Sequence, residues 1–415
     1  MTIKDFKQII EAIPGSIINI PPSILKGTVA AVDISIMIFE FISIVKSEEV
    51  EKFTPYDYKI NNNFFDKVIQ RIIGRLINTF IRNGILPIVV FDGPPKESKK
   101  LVVKQRQSKK NILKDEIKLL ENVIKELVDD DPLKNDLKIK NTLECLKKKV
   151  KVLLSYPEKG FEDLQKAIDE AGFPYIEAEN DAEKLCSILT QKGIADFVYT
   201  KDFDAVVFGS SAVIRSGNSD GTFSVIIPDL IILGSGLSKQ SFIEYCILLG
   251  CDYNERIKGF GPKKAFKLIS ENETIHNFLQ NKIISDEDYE LINYDDCFNE
   301  FFSPETTINL EEIDFTFKRP ESFFSNVELL IDFYNKNEQK EFERKSIIEI
   351  IETHFNKKIF IESSDGKITS DFVQPGIMKT GMSIKNKKTK DEIPKRAKNN
   401  KKENRSIMMD NLKLI

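Results

Sequence analysis

Residues 194–204 read IADFVYTKDFD, an apolar run of strand length that ends in two aspartates one residue apart. Two carboxylates that close repel each other unless a cation or strong hydrogen-bond donors hold them. The same grammar occurs twice upstream. TVAAVD (28–33) and ILPIVVFD (85–92) are also short apolar runs, each closed by an aspartate. Short apolar runs separated by helical patterns predict a parallel sheet covered by helices on both faces. Ligands of such sheets bind at the carboxyl ends of the strands, where these aspartates fall. A single aspartate after a strand is ordinarily a turn residue or a helix cap. Three such endings in one chain point to a shared site.

Further acids stand at comparable places. Asp181 and Glu183 open a helical pattern in EAENDAEKLCSIL, where a capping role is the ordinary alternative. Asp252 follows the apolar stretch CILLGCD, at a helix end whose dipole disfavours a carboxylate, so it requires a compensating cation. Asp33, Asp92, Asp181, Glu183, Asp202, Asp204 and Asp252 together could not stay ionised in one place without metal. Mg²⁺ suits such a donor set, because it takes few carboxylates, keeps waters and binds phosphate oxygens. Two ions about 4 Å apart clamp the attacking and leaving oxygens of a phosphodiester.

Between 94 and 155 the chain changes character. Two strongly helical stretches are broken at DDDP, which predicts a two-helix excursion from the sheet. Its first part carries Lys96, Lys99, Lys100, Lys104, Arg106, Lys109 and Lys110 against the single acid Glu97. Residues 241–269 read as a helix, a glycine turn (GFGP) and a lysine-bearing helix. Backbone N–H groups at such a turn bind phosphate oxygens without reading bases.

Composition narrows the class. There are 61 basic and 65 acidic residues in 415, a formal net charge of −4, so the global balance does not advertise nucleic-acid binding. It would also conceal a basic groove beside an acidic centre. Five scattered cysteines without C-x-x-C spacing read as reduced, mostly buried thiols in an intracellular protein. Neither a signal peptide nor a membrane-length apolar run is visible. With only His276 and His354, polar chemistry must run on carboxylates, lysines or hydroxyls. From 383 to 405 there are ten Lys or Arg against three acids and no aromatic residue, a composition expected to be disordered.

These motifs resemble the flap endonuclease/XPG-type structure-specific nucleases. The carriers are VAAVDISIMIFEF (29–41), ILPIVVFDGPP (85–95), GFPYIEAENDAEKLC (172–186), TKDFDAVVFGS (200–210) and CILLGCDYNERIKGFGPKKAFKLI (246–269). They follow the family's order and cover most of residues 1–270, with a fainter likeness in FNEFFSPE and FKRPESFFSNVELLIDFY. The resemblance implies an α/β fold, with a central, mostly parallel PIN-like sheet flanked by helices, a helical arch and a helix–two-turn–helix. It divides the chain into a nuclease region at 1–93, an arch at 94–155, a second nuclease region at 156–350 with the helix–two-turn–helix near 241–270, and a basic tail at 383–415.

By the same resemblance, the seven acids form a site for two Mg²⁺ ions, with Mn²⁺ a possible substitute. Lys99 and Arg106, two turns apart on one helix face, contact the scissile phosphate. Phe39 stands where the family commonly has a base-stacking tyrosine. Gly259, Gly261, Lys263 and Lys264 grip duplex backbone in an element associated with K⁺. The implied activity is Mg²⁺-dependent 5′ nuclease cleavage of branched or flapped DNA by a monomer, in nucleus or cytoplasm and away from membranes. A 5′→3′ exonuclease on RNA or nicked duplex, or a non-catalytic DNA-binding scaffold, are the alternatives. Three departures stand out: Met1-Thr2-Ile3 replaces the family's Met-Gly-Ile, Asp181 replaces a glutamate, and no sliding-clamp motif is found near the C-terminus. These features, with an AT-rich coding bias, suit a nuclease encoded by a large DNA virus.

Overall fold

The computed structural model describes residues 3–61, 63–96, 100–153, 160–217, 221–302, 304–315 and 350. The sequence also predicts a last helical stretch at 321–355; all of it but residue 350, like Lys99 and the basic tail, lies outside the described residues. The strands are β1 (Ile17–Ile20), β2 (Val29–Asp33), β3 (Leu86–Phe91), β4 (Tyr175–Glu177), β5 (Phe197–Tyr199), β6 (Val213–Gly217) and β7 (Phe223–Ile226). They form one seven-stranded sheet in the order β1-β7-β6-β5-β2-β3-β4. β2, β3, β4, β5 and β6 run parallel, and β7 pairs antiparallel with both β6 and β1. The expected mostly parallel sheet is therefore present, and its antiparallel edge is an addition the apolar runs did not announce.

The connections place the site. From β2 the chain moves outward through β3 to β4, then returns to the opposite side of β2 for β5 and β6. The order reverses between β2 and β5, and a crevice opens there at the strands' carboxyl ends. Asp33 ends β2, Asp92 follows β3, Asp181 follows β4, and Asp202 and Asp204 follow β5.

Alternating side chains divide each strand between two cores. Ala31, Ile88, Val90 and Val198 enter one core; Ala30, Val32, Val89, Phe91, Phe197 and Tyr199 enter the other. In chain order the helices are α1 (Phe6–Glu11), α2 (Ile34–Glu51), α3 (Phe64–Thr79), α4 (Lys100–Asp130), α5 (Asp136–Val152), α6 (Gly160–Glu170) and α7 (Ala182–Gln191). They continue with α8 (Asp204–Val207), α9 (Pro228–Ser235), α10 (Lys239–Leu249), α11 (Pro262–Asn272), α12 (Ile275–Gln280), α13 (Asp286–Leu291) and α14 (Tyr294–Phe302). α1, α7, α8, α10 and α11 cover one face, while α2, α3 and α6 cover the other.

The two-helix excursion is α4 and α5, interrupted at Asp131-Pro132 as the breaker residues require. It carries its own core: Ile117 and Ile124 of α4 meet Leu143, Leu146 and Val150 of α5, with Val50 and Phe53 at the end of α2. The buried Lys46 ammonium donates to the Leu153 carbonyl and fixes the return of α5 to α2. The excursion is thus a packed hairpin seated on α2.

Gly93 ties β3 to the loop after β4. Its N–H donates to the Asn180 carbonyl at 2.7 Å, and the Ala178 N–H donates to Phe91 O at 2.8 Å. A Cβ at Gly93 would lie 2.0 Å from Ala178 O and 2.7 Å from Glu179 O. Both obstructions are backbone and cannot swing aside. Gly93→Ala is expected to cost about 2 kcal/mol, read as a melting temperature several degrees below wild type; an unchanged melting curve would contradict this packing.

Candidate metal and nucleic-acid site

A hydrogen bond between the two strand ends bridges the crevice between β2 and β5. Thr200 Oγ1 donates to Asp33 Oδ2 at 2.9 Å, while the Ser35 N–H donates to Asp33 Oδ1 at 3.1 Å. Asp33 thus does cap α2, and its second oxygen is held toward β5. Asp92 accepts from the Ser35 hydroxyl and, at 2.9 Å, from the Ala182 N–H at the start of α7. A carboxylate there is favoured by the positive end of the helix dipole. On the β5 side, the Asp202 N–H donates to Thr200 Oγ1 and the Asp204 N–H to Asp202 Oδ1, each at 3.1 Å. Asp204 Oδ1 also accepts from the Ile3 N–H at 3.1 Å, which brings the N-terminal backbone to the site.

Asp181 occupies the cap position of α7 without a side-chain capping bond. Its carboxylate instead accepts from the Tyr253 hydroxyl at 2.6 Å. Asp252 lies just past α10, and the cation its position requires is Arg106, whose Nη2 stands 3.1 Å from Asp252 Oδ2. That ion pair brings the basic flank of α4 over the acids.

The electrostatics join these groups. Burial, then the Asp92 and Asp202 charges, push Asp33 up to about 7, against the pull of Thr200 and Ser35. Burial also pushes Asp204 well up, followed by Asp202, Glu183, the Cys251 thiol and Asp252. Six of the seven sequence-selected acids are therefore linked by direct repulsion through Asp33 and Asp204. Asp181 joins through Tyr253, whose phenol is pushed up by burial, then Asp181, and then Glu300 and Asp204. Among the described residues, no three His, Cys, Asp or Glu side chains are drawn in far enough to form a ready metal cage. The structure thus gathers the acids around one crevice while protein donors hold several of them apart. An all-oxygen carboxylate set of this kind fits a hard divalent cation.

The outer residues fall into place by element. Phe39 lies on α2, and its side chain is exposed. Gly259 has φ +82°, the left-handed conformation that glycine adopts without penalty. Gly261 caps α11, Pro262 follows at its first position, and Tyr245 OH donates to Pro262 O at 3.3 Å. No heavy atom lies within 4 Å of a Cβ built at Gly259 or Gly261, so the turn's backbone is open. Lys263 and Lys264 are exposed on α11, with Lys264 Nζ 4.2 Å from the Phe260 ring centroid.

Ser35, Thr200, Tyr253 and the Ile3 amide were not singled out from sequence. Thr200 and Tyr253 sit inside T-x-D-x-D and G-x-D-Y, where adjacency to the aspartates was a usable signal. Ser35 and Ile3 carry none.

Comparison with known proteins agrees with this arrangement. The XPG N-terminal domain model matches residues 1–112 and the XPG I-region model matches residues 172–252. Flap endonuclease 1 of Entamoeba histolytica is 33% identical over 261 residues, 61% of this chain and 63% of that protein. Flap endonuclease 1 of Plasmodium vivax is 29% identical over 293 residues, 66% of this chain and 43% of that protein. The matches thus span less than two thirds of these relatives' own length. Among solved structures, the catalytic core of Rad2 in complex with DNA substrate aligns with a TM-score of 0.53 at 19% identity, covering 84% of this chain and 98% of that one. That likeness shows a shared fold. The chain thus carries matches to both XPG domain models, over residues 1–112 and 172–252, and is similar in sequence to flap endonucleases.

The raised Asp33 value has a thermodynamic consequence. Its folded value of about 7 lies above the ordinary 3.8, so the folded state holds the proton more tightly. The associated stability is complete below about pH 4 and is lost as pH rises through about 7. In metal-free protein, Asp33→Asn is expected to raise the melting temperature at about pH 8, with the gain vanishing near pH 4. A divalent cation should stabilise wild type more than the variant. Equal melting temperatures of the two proteins at both pH values would contradict the crowding.

Proposed function

We propose that this chain is a member of the XPG-type flap endonuclease family and a structure-specific 5′ nuclease that hydrolyses phosphodiester bonds in branched or flapped DNA. The observation that carries the reading is the gathering of acids at the β2–β5 crevice beneath the basic flank of α4, joined by the Arg106–Asp252 pair at 3.1 Å. Asp33, Asp92, Asp181, Glu183, Asp202, Asp204 and Asp252 would hold two Mg²⁺ ions, or Mn²⁺ in their place. When bound, such ions activate water and neutralise charge on the departing oxygen.

The chain's own residues account for the rest. Arg106 exchanges Asp252 for the scissile phosphate, and Lys99 acts as a second cation. Both offset charge where it builds up during cleavage. Phe39 offers an exposed face on which a base stacks. The open backbone at Gly259 and Gly261, flanked by Lys263 and Lys264, takes duplex phosphates as an uncharged cradle with two charges beside it. K⁺ coordinated by backbone carbonyls would fit that turn. Because α4 and α5 are packed together along their shared core, the single strand runs along the base of α4 instead of between the helices. A duplex-gripping turn favours branched DNA over single-stranded RNA. We take the working unit to be a monomer, independent of a sliding clamp, acting in nucleus or cytoplasm.

Asp204→Ala and Asp33→Ala should each reduce Mg²⁺-dependent cleavage of a labelled 5′-flap duplex to background while leaving flap binding within about twofold, since metal supplies the chemistry and other residues the grip. Full activity in either variant would remove the metal-site argument. Arg106→Ala should slow single-turnover cleavage roughly a hundredfold. An unchanged rate would remove Arg106 from the phosphate. A preference for 5′-phosphorylated single-stranded RNA over the flap would overturn the substrate assignment.

A further inference from the structure

Lys201 lies between Thr200, which holds Asp33, and Asp202. Its backbone is fixed, because its carbonyl accepts from Arg215 Nε at 3.2 Å and Nη2 at 2.8 Å. Arg215 in turn lies 3.8 Å from the Phe203 ring centroid. The Lys201 ammonium reaches across the crevice to Glu40 of α2. Glu40 also pairs with Arg75 of α3, at 3.1 Å. One carboxylate thus holds two cations, leaving a net positive charge beside the acids at the carboxyl ends of β2 and β5.

The group is built to meet solvent. The Lys201 side chain is 42% exposed, that of Arg75 31% and that of Glu40 23%. Phe39, the residue before Glu40, is exposed on the same helix. Glu40 stands seven residues after Asp33, two turns or about 10 Å along α2. A polyanion drawn toward Asp202 is repelled by the acids and attracted by this cation. Arg106 reaches the acids at Asp252, and Lys201 flanks them at Glu40, so the two bracket the crevice. An exposed ion pair contributes little to stability, so merely tying α2 to the β5 loop is a weak reason for a lysine here.

We propose that Lys201, backed by Arg75, is a phosphate-contacting residue for the nucleic-acid strand entering the crevice, transferring its ammonium from Glu40 to a backbone phosphate on binding. This rests on the nuclease reading for the identity of the ligand and adds a contact outside the α4 flank and the glycine turn.

Two variants separate the contact from a structural tie. Lys201→Met removes the cation, whereas Glu40→Gln breaks the same ion pair and keeps it. Binding of a fluorescent 5′-flap duplex to the full chain, by anisotropy across a salt series, should weaken roughly tenfold for Lys201→Met. The slope of log affinity against log salt should fall by about one. Glu40→Gln should bind as tightly as wild type or tighter, with its salt slope retained. Equal weakening in both variants, or no change in Lys201→Met, would overturn the assignment. Cleavage of the same duplex with Mg²⁺ is scored separately: wild type that binds and never cuts would sink the nuclease reading, while the binding comparison would still decide Lys201.

Discussion

The constraint on which the rest of the structure depends is the crowding of carboxylates where the sheet reverses its order. Asp33 and Asp204 are both almost fully buried, and each is raised by burial together with neighbouring acids. A chain gains nothing in stability by assembling such a group, because desolvation and like charge act in the same direction. In the proposed function, bound divalent cations would offset that cost. Each nearby element therefore serves two purposes, packing the core and supplying a donor that keeps one carboxylate in place.

Those donors are spread widely along the chain. The Ile3 amide steadies Asp204, Thr200 and Ser35 hold Asp33, α7 offers its first amide to Asp92, and Arg106 reaches Asp252 from the hairpin. Separations of up to 201 residues are closed by these bonds. The packed α4–α5 hairpin fits the same logic. A long basic helix held at one end over the acids needs a rigid support, and its seam with α5 and α2 supplies one.

This division explains what the sequence made legible. Central strands announce themselves because both faces are buried, which makes them unbroken apolar runs, and the aspartate closing each run marks the carboxyl edge. The edge strands were silent for the opposite reason. β4 spans only Tyr175–Glu177 with two of its three side chains exposed, and β1 carries an exposed Asn19. β7 is no edge strand, lying between β6 and β1, but its pairing with β1 joins distant parts of the chain and no local pattern encodes it. In the site, charge at a strand end was a visible signal, so the acids and the basic helix emerged early. A hydroxyl or a backbone amide has no such signature; Ser35 became meaningful only once β2 and β3 were adjacent. Asp252's need for a cation followed from helix polarity alone, yet only the folded chain identified Arg106.

The substitution at Asp181 gains a physical account from its partner. An aspartate where the resemblance implies a glutamate places the carboxylate one methylene nearer the backbone, which would ordinarily widen its distance from the other acids. Tyr253 meets that shorter reach with a hydroxyl at 2.6 Å. Its phenol, buried beside the charge it serves, is pushed well up and remains a donor throughout the range in which the protein works. Tyr253 follows Asp252 directly, so the loop that positions one acid also anchors another. Phe301 packs against the Tyr253 ring edge-on at 5.6 Å, and Glu300 beside it pairs with Lys184 at 2.9 Å and with Lys96 at the approach to α4. The carboxylate therefore hangs on a tyrosine set by α14, and α14 also pairs with Lys96, ahead of the basic helix. A single helix thereby links the tyrosine that holds Asp181 to Lys96 and Lys184, so the shorter side chain is anchored by the same packing that places these two cations.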